Sequence, residues 1–349
     1  MGDPQILAIG TAVPNYTLQQ QEIKQFATSI FRSHMDNLER LLPVFENSCI
    51  KTRYLSQPLE WYSTPHTFAE ANQVYEKVAL DLSEEAALQA MTKANIQPMD
   101  IGMVLFVSST GIATPTLDAK LIQRLGLSPH TGRLPIWGLG CGGGVAGLAR
   151  AGELAYHFTG KAVLLVAVEL CSLTFQRNDY SKANVVGTSL FGDGAAAVLL
   201  SMGEGSGPVV LGNYSTLFSN SEDIMGWELV DSGLKVRFSR DIPSIVRRHL
   251  PGLVKNACDK WEIDQSAIHH YIVHPGGVKV LDAYQESLKI KKDQLLYAYE
   301  ILRDYGNMSS VSVLFVLERF MAKTPQVGNY GILLALGPGF SAEQVVFKW

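Results

Sequence analysis

The chain has 349 residues, of which 47% are hydrophobic and 18% charged, with a formal net charge of −4. That is enough apolar material for a large core, and it excludes an intrinsically disordered chain. The weak acidic excess offers no footing for nucleic acid or an anionic membrane surface.

The length allows two or three ordinary domains, or one large α/β unit built from two halves. The four cysteines, Cys49, Cys141, Cys171 and Cys258, are too widely spaced for a CxxC metal pair or a disulfide framework. They read as reduced thiols in a cytoplasmic protein, with no metal site expected. The first residues, MGDPQILAIGTAVP, lack the basic and apolar regions of a secretion signal. Ile6 stands where a myristoylation signal needs Ser or Thr. The longest apolar run, 162–168, is too short to span a bilayer, so no membrane span is expected.

In chain order, residues 5–9 read as a short buried strand and 10–14 as its turn. The pattern from 18 to 40 is helical, with Phe26, Ile30 and Phe31 on one side. Pro43, Pro58 and Pro65 break the next stretch into loops. A long helix is predicted over 67–94, ending near Asn95 ahead of Pro98. Residues 103–107 form an apolar strand buried on both faces, leading into the polar loop 108–111. Sites on open α/β sheets often collect at such a place. Residues 118–125 are helical, and 136–137 are a brief strand.

Next comes the most unusual stretch, where Cys141 sits among six glycines between 138 and 147, followed by a helix of small residues. A thiol at such a helix start faces unpaired backbone N–H groups and the positive end of the helix dipole, both of which favour the thiolate. A buried structural cysteine in a packing turn is the equal alternative at this point.

Residues 161–170 are the most strand-like run. Gly192-Asp193-Gly194 reads as a tight turn, with no chemistry assigned to Asp193, before a strand over 195–201. Residues 203–207 are the best linker candidate. Beyond them come a strand at 209–211, a helix at 242–259 and a strand at 271–273 ending in His274-Pro275-Gly276-Gly277. Helices are expected over 284–288, 294–305 and 311–321, and closing strands over 332–336 and 345–347. Trp137 and Phe340 read as core residues. In each half a glycine turn with a reactive-type residue, Gly140-Cys141 or Gly306-Asn307, precedes a buried helix. Alternating strands and helices argue for α/β layering.

A nucleophilic cysteine needs an imidazole to move protons, and an amide or carboxylate often completes the set. His34, His66, His130, His157 and His249 lie in polar settings and read as surface residues; His269 and His270 fit either environment. Only His274 ends an apolar strand at a Pro-Gly-Gly turn. Asn307 sits in a Gly-Asn pair, which is first of all a turn signal.

Cys141 in GLGCGGG, His274 in HPGG and Asn307 in YGNMSS together resemble the type III polyketide synthases, the chalcone and stilbene synthase-like branch of the thiolase superfamily. The runs STGIATP at 109–115, FGDGA at 191–195 and GPGF at 337–340 agree, and ELCSLT at 169–174 is closest to bacterial members. The resemblance implies an α/β, thiolase-like five-layered αβαβα fold of two similar halves, 1–205 carrying the cysteine and 206–349 the histidine and asparagine. It implies a homodimer, acyl-CoA and malonyl-CoA as substrates, and no metal or organic cofactor. Cys141 would take the starter acyl group as a thioester. His274 and Asn307 would hold the malonyl thioester carbonyl and stabilise the enolate left by loss of CO2.

Carried over residue by residue, Phe191 matches one of two gating phenylalanines of plant members. Val236 stands at the partner position, with Phe238 close by. Cys171 and Thr174 match cavity threonines, and Thr110 and Ser309 join the cavity set. Thr114 stands where plant enzymes push a methionine into the partner subunit's cavity. Arg40, Lys51 and Arg53, with Gly276 and Gly277, are the candidates for holding CoA. These departures from the plant pattern point to an aliphatic starter and an alkylpyrone or resorcinol-type product.

The nearest rival is a β-ketoacyl-carrier-protein synthase III, in which Gln-Ala-Asn would follow the histidine where this chain has Pro275-Gly276-Gly277. A dinucleotide-binding protein is a rival from another class, since Gly138, Gly140 and Gly143 formally fit GxGxxG. No acidic residue ends a strand about 20 residues later, as that motif requires. A non-catalytic acyl-CoA binder is the third, and the intact Cys, His and Asn set argues against it.

Overall fold

The computed structural model describes residues 2–203, 205, 207–323 and 328–349; Glu204 and Ser206 of the expected linker lie outside the described residues. The chain begins with β1 (Pro4–Ala12) and β2 (Tyr16–Gln19), then α1 (Gln20–Phe31), α2 (Leu38–Leu41), α3 (Pro43–Asn47), β3 (Thr52–Leu55) and α4 (Leu59–Tyr62). Then follow α5 (Phe68–Ala94), β4 (Ile101–Ser108), α6 (Leu117–Arg124), β5 (Gly132–Trp137), α7 (Gly143–Ala155) and β6 (Ala162–Leu170). Next are α8 (Lys182–Leu190), β7 (Asp193–Met202), β8 (Val209–Leu217), β9 (Met225–Val230) and β10 (Gly233–Phe238). The chain ends with α9 (Ile242–Trp261), β11 (Ile268–Val273), α10 (Val278–Leu288), α11 (Leu296–Tyr305), α12 (Ser312–Met321), β12 (Tyr330–Gly337) and β13 (Ser341–Lys348).

Strand pairing runs β11-β12-β13-β8-β1-β7-β6-β4-β5. The two halves of this array join at one register pair, Gln5 with Val209. Helices α5 and α6 cover one side of the first half, and α9 and α10 pack outside the second. Helices α7 and α12 touch each other between the halves. The result is the expected αβαβα layering.

The period-two geometry of a strand explains how one sheet serves two cores. Val104, Phe106, Leu164, Val166 and Ala197 face the core beneath α5. Leu105, Val107, Leu165, Ala167 and Val198 face the core that holds α7 and α12. The central helix α7 is built from small residues because its neighbours approach closely. A Cβ placed on Gly144 would lie 2.1 Å from the Ser310 carbonyl oxygen, so only glycine lets the turn ahead of α12 seat there.

The long helix α5 ends as predicted. Thr67 caps it, with Glu70 completing a capping box, and Asn95 stops it in the left-handed region at φ 54°. Other expectations need correction. The helix predicted over 18–40 is broken: Leu18 lies in β2, paired with Arg53 of β3. The buried stripe Ile23, Phe26, Ala27 and Phe31 then runs out before Leu38. The turn expected at 10–14 starts later, because Gly10, Thr11 and Ala12 still pair with Ala197, Ala196 and Ala195. Asp193 is a strand residue paired with Leu170. Its buried carboxylate accepts the backbone N–H groups of Ser56 and Ser172, both at 2.8 Å.

Trp137 is 55% exposed rather than in the core. It ends the edge strand β5, where every second residue faces outward, and its Nε1–H donates to the Gly111 carbonyl at 3.0 Å. Phe340 is buried as expected, against Phe218. His66 is half-buried rather than exposed, stacked on Trp61 at 3.8 Å. Helix α8 and the β9–β10 hairpin are additions to the elements expected from sequence. Among the described residues no helix is long and apolar enough to cross a membrane.

Candidate active site

Cys141 stands in a single 3-10 turn, Gly140–Gly142, directly ahead of α7. Strand β12 passes beside that turn and offers its Leu334 carbonyl to the backbone N–H of His274 at 2.9 Å. His274 therefore sits at the end of β11, which runs parallel to β12. Asn307 precedes the 3-10 turn Ser309–Val311 that leads into α12. The Asn307 N–H donates to the Leu190 carbonyl at 2.9 Å, and its carbonyl accepts from Gly192 at 3.0 Å. These bonds make a one-residue parallel bridge between Asn307 and Phe191.

The side chains converge. Asn307 Nδ2 donates to the Gly276 carbonyl at 3.2 Å, and its Oδ1 accepts from the Ser309 N–H at 2.8 Å. This fixes the sense of the amide and leaves one Nδ2–H unspent. The same amide and the Ser309 hydroxyl lie close enough to the Cys141 thiol to favour its charged form. A Cβ on Gly276 would stand 3.5 Å from the His274 ring. Gly276 thus links imidazole to amide, and the amide links to the sulfur.

His274 is 3% exposed, and neither ring nitrogen has a hydrogen-bond partner. An imidazole always carries at least one N–H, and leaving such a donor buried and unpaired costs roughly 1–3 kcal/mol. An orphan of this kind marks a place that a ligand completes.

The charge state differs from the sequence expectation of an acidic thiol. Burial pushes the Cys141 thiol up to about 11, with hydrogen bonds from Ser309 and Asn307 opposing the rise and the Glu169 charge adding to it. Burial likewise pushes the His274 imidazole down to about 3. In both groups burial works against the charged form.

Sequence reasoning missed Glu169. It is fully buried at the end of β6, where Oε2 accepts the Ser109 N–H at 2.9 Å and Oε1 the Ser310 hydroxyl at 2.7 Å. Burial raises its carboxyl to about 7 against those bonds and one from Thr110. The signal was present: a carboxylate closing the otherwise apolar strand Ala162–Leu170 demands a reason for being there. Tyr284 is a second omission, a fully buried phenol whose hydroxyl has no partner.

Phe191, Val236, Cys171 and Thr174 line one narrow cavity of about 50 Å³, walled further by Ile23 and Phe175. Phe238 packs edge-on against Phe191 with ring centroids 6.4 Å apart. Ser309 faces the thiol, as described. Thr110 is buried and accepts the Leu170 N–H at 2.8 Å, so it braces the Glu169 corner. Thr114 is exposed and contributes nothing to the cavity of its own chain.

Gly276 and Gly277 form the loop between His274 and α10. Arg40 and Lys51 are exposed. Arg53 is a correction: it is 1% exposed, with Nη1 and Nη2 bonded to protein groups and Nε buried without a partner, so it does not reach the surface where a CoA phosphate would be gripped. The glycines that formally fit GxGxxG serve packing instead: a Cβ on Gly143 would stand 2.7 Å from Val107 Cγ1, and one on Gly140 2.8 Å from Pro338 Cδ. Among the described residues no group of three or more His, Cys, Asp or Glu side chains is placed to hold a metal ion.

Known proteins with this sequence and shape agree with the geometry. Family models described as chalcone and stilbene synthases match residues 1–204 with their N-terminal domain and 211–349 with their C-terminal domain. A candidate chalcone synthase of Bacillus subtilis (strain 168) is 41% identical across 99% of this chain and 98% of its own. A 1,3,6,8-tetrahydroxynaphthalene synthase of Streptomyces peucetius subsp. caesius is 37% identical across 99% of this chain and 93% of its own. The crystal structure of the 1,3,6,8-tetrahydroxynaphthalene synthase of Streptomyces coelicolor A3(2), a bacterial type III polyketide synthase, superposes with a TM-score of 0.94 at 29% identity, covering 99% of both chains. Nothing among these relatives supports the carrier-protein synthase alternative. With sequence, fold and the meeting of thiol, imidazole and amide in agreement, the chain belongs to the chalcone and stilbene synthase family of type III polyketide synthases, condensing enzymes of the acyltransferase type.

Proposed function

We propose that this protein loads an aliphatic acyl-CoA starter on Cys141, extends it with malonyl-CoA, and cyclises the product to a pyrone or resorcinol-type ring. The observation that carries the reading is the buried imidazole with both nitrogens free, beside an amide with one N–H unspent and a thiol within that amide's reach.

Loading starts from neutral partners. His274 takes the Cys141 proton as the sulfur attacks the acyl-CoA carbonyl, and the departing CoA thiolate takes a proton in turn. Malonyl-CoA then binds with its thioester oxygen between the His274 and Asn307 N–H groups. Loss of CO2 leaves the bonding pair on the enolate, whose oxygen is held by those two donors. Such preorganised donors are typically the largest single contribution to a rate of this kind. The enolate carbon attacks the Cys141 thioester, a C–C bond forms, the C–S bond breaks, and the thiolate is freed for the next round. The thioester carbonyl itself is the electron sink, so the proposed chemistry asks for no added metal or organic cofactor.

The starter assignment rests on the resemblance and on the apolar character of the cavity of about 50 Å³ beside Phe191, whose lining does not include Cys141. Its walls are mainly apolar, including Ile23, Phe26, Leu55, Leu59 and Val236. A slim alkyl chain threads such a space more readily than a planar ring. The homodimer belongs to the same proposal. The open edge of β5 presents exposed Trp137, with exposed Ile112 in the loop that Trp137 bonds, and a second copy would cover both.

Cys141→Ala is expected to abolish condensation yet still convert malonyl-CoA to acetyl-CoA, as read by chromatography. A folded variant with no decarboxylation would refute the division of roles. Iodoacetamide labelling of Cys141, followed by peptide mass spectrometry, should climb about tenfold per pH unit from 7 to 9, because the thiol titrates near 11; a plateau below pH 7 would mean a preformed thiolate. Across a panel of starters, fatty acyl-CoAs should give pyrone or resorcinol products at least about tenfold faster than aromatic ones; turnover of aromatic starters alone would reject the assignment. Trp137→Glu should convert a dimer to a monomer by sedimentation velocity, whereas an unchanged assembly would place the interface elsewhere.

A further inference from the structure

The side chain left without a role is Arg53, among the largest fully buried side chains of the molecule. Its Nη1 donates to the Thr188 carbonyl at 2.6 Å and the Phe191 carbonyl at 2.9 Å, and its Nη2 to Gln20 Oε1 at 2.7 Å. Gln20 Nε2 in turn reaches the Phe45 and Ser189 carbonyls and the Ser48 hydroxyl. Helix α8 ends at this point, with Phe191 as its C-cap. The last carbonyls of a helix lack intrahelical partners and carry partial negative charge, so a guanidinium fork suits them. Among the described residues Arg53 has no carboxylate at ion-pair distance. Burial lowers its guanidinium to about 9, and the Asp193 charge opposes that fall. A buried cation held only by neutral groups is costly, and the cost points to a function for it.

The stem of Arg53 lies against Gly306, whose φ is 71°. A Cβ there would stand 2.9 Å from Arg53 Cγ and Cδ and 2.8 Å from the Leu190 carbonyl oxygen. The next residue is Asn307, bridged to Phe191 through Leu190 and Gly192. The guanidinium therefore holds the segment 188–192, the end of α8 and the residues just after it, while the Asn307 backbone bonds to the same segment.

We propose that Arg53 is a positioning residue for decarboxylation and for starter choice, because it fixes the bridge that carries both the Asn307 amide and the Phe191 ring. The proposal rests on the roles given to Asn307 and Phe191 above. A displacement of about 1 Å at a reacting group can cost 10²-fold in rate, and the Asn307 amide is held by its backbone bridge and by side-chain bonds of 3.2 and 2.8 Å.

The test compares two activities of one enzyme: conversion of malonyl-CoA to acetyl-CoA, which needs the amide, and acyl loading of Cys141 from a starter acyl-CoA, which does not. Arg53→Met should lower kcat for decarboxylation about 100-fold, with KM and the loading rate each within about threefold. Its starter preference should broaden with the loosened Phe191. Arg53→Lys should restore part of the rate, since a point donor replaces a fork. Gln20→Met, which frees Nη2 and leaves the charge in place, should lower decarboxylation by about five- to tenfold and covers the case in which Arg53→Met fails to fold. Loading and decarboxylation falling together, or folded Arg53→Lys and Gln20→Met variants that decarboxylate normally, would overturn the proposal. Asn307→Ala in the same assay separates the two levels. If it keeps the wild-type rate, the function given to the amide fails; if it loses rate while the Arg53 and Gln20 variants do not, only the positioning role fails.

Discussion

The contact on which this molecule depends is the one between two turns. The glycine turn that carries Cys141 and the turn that follows Asn307 meet in the central layer, close enough that the Ser310 carbonyl occupies the space where any side chain on Gly144 would begin. Helices α7 and α12 leave from these turns and pack on each other. The sheets on either side then bring in the remaining group, since β12 supports both the Cys141 turn and the His274 backbone. Residues more than a hundred positions apart meet because two halves with similar layouts share one helical layer, not because any local segment is itself a site.

Much of this was legible in the sequence because the strongest signals were local. A capped amphipathic run gave α5 almost to the residue, and continuous apolar runs gave β4 and β6. Cys141, His274 and Asn307 stand at the ends of elements near glycine, but alone Cys141 reads equally as a structural thiol and Asn307 as a turn; the family resemblance is what joins them into one set. What stayed hidden depends on tertiary partners. The β9–β10 hairpin has mixed burial and no clean alternation. The 18–40 stretch reads as one helix until β2 pairs with β3. Trp137 looked like core because tryptophan usually is, and only its place on an edge strand exposes it. Arg53 looked like a phosphate ligand by its sequence position, while its surroundings are the end of a helix.

The site is held in an unfavourable electrostatic state. Glu169, His274 and Arg53 are each buried far from a full counter-charge, and each is displaced from its ordinary titration by that burial. For Glu169 and Arg53, hydrogen bonds to backbone and side-chain groups stand in for ion pairs, whereas the His274 ring has none. Such a site strengthens any interaction with developing charge, since neither water nor a fixed salt bridge competes for the donors. It also concentrates stability costs around the chemistry, as functional sites commonly do.

Strand β1 closes the account with a consequence for biogenesis. It is made first, yet it lies at the seam of the array, with β7 on one side and β8 on the other. Its partner Met202 leaves the ribosome 198 residues after Pro4. At bacterial-type synthesis rates that is a wait of roughly 10–40 s for an apolar strand with open edges. The nascent chain is therefore exposed to aggregation for most of its synthesis, and its long-range pairing places it among slow folders.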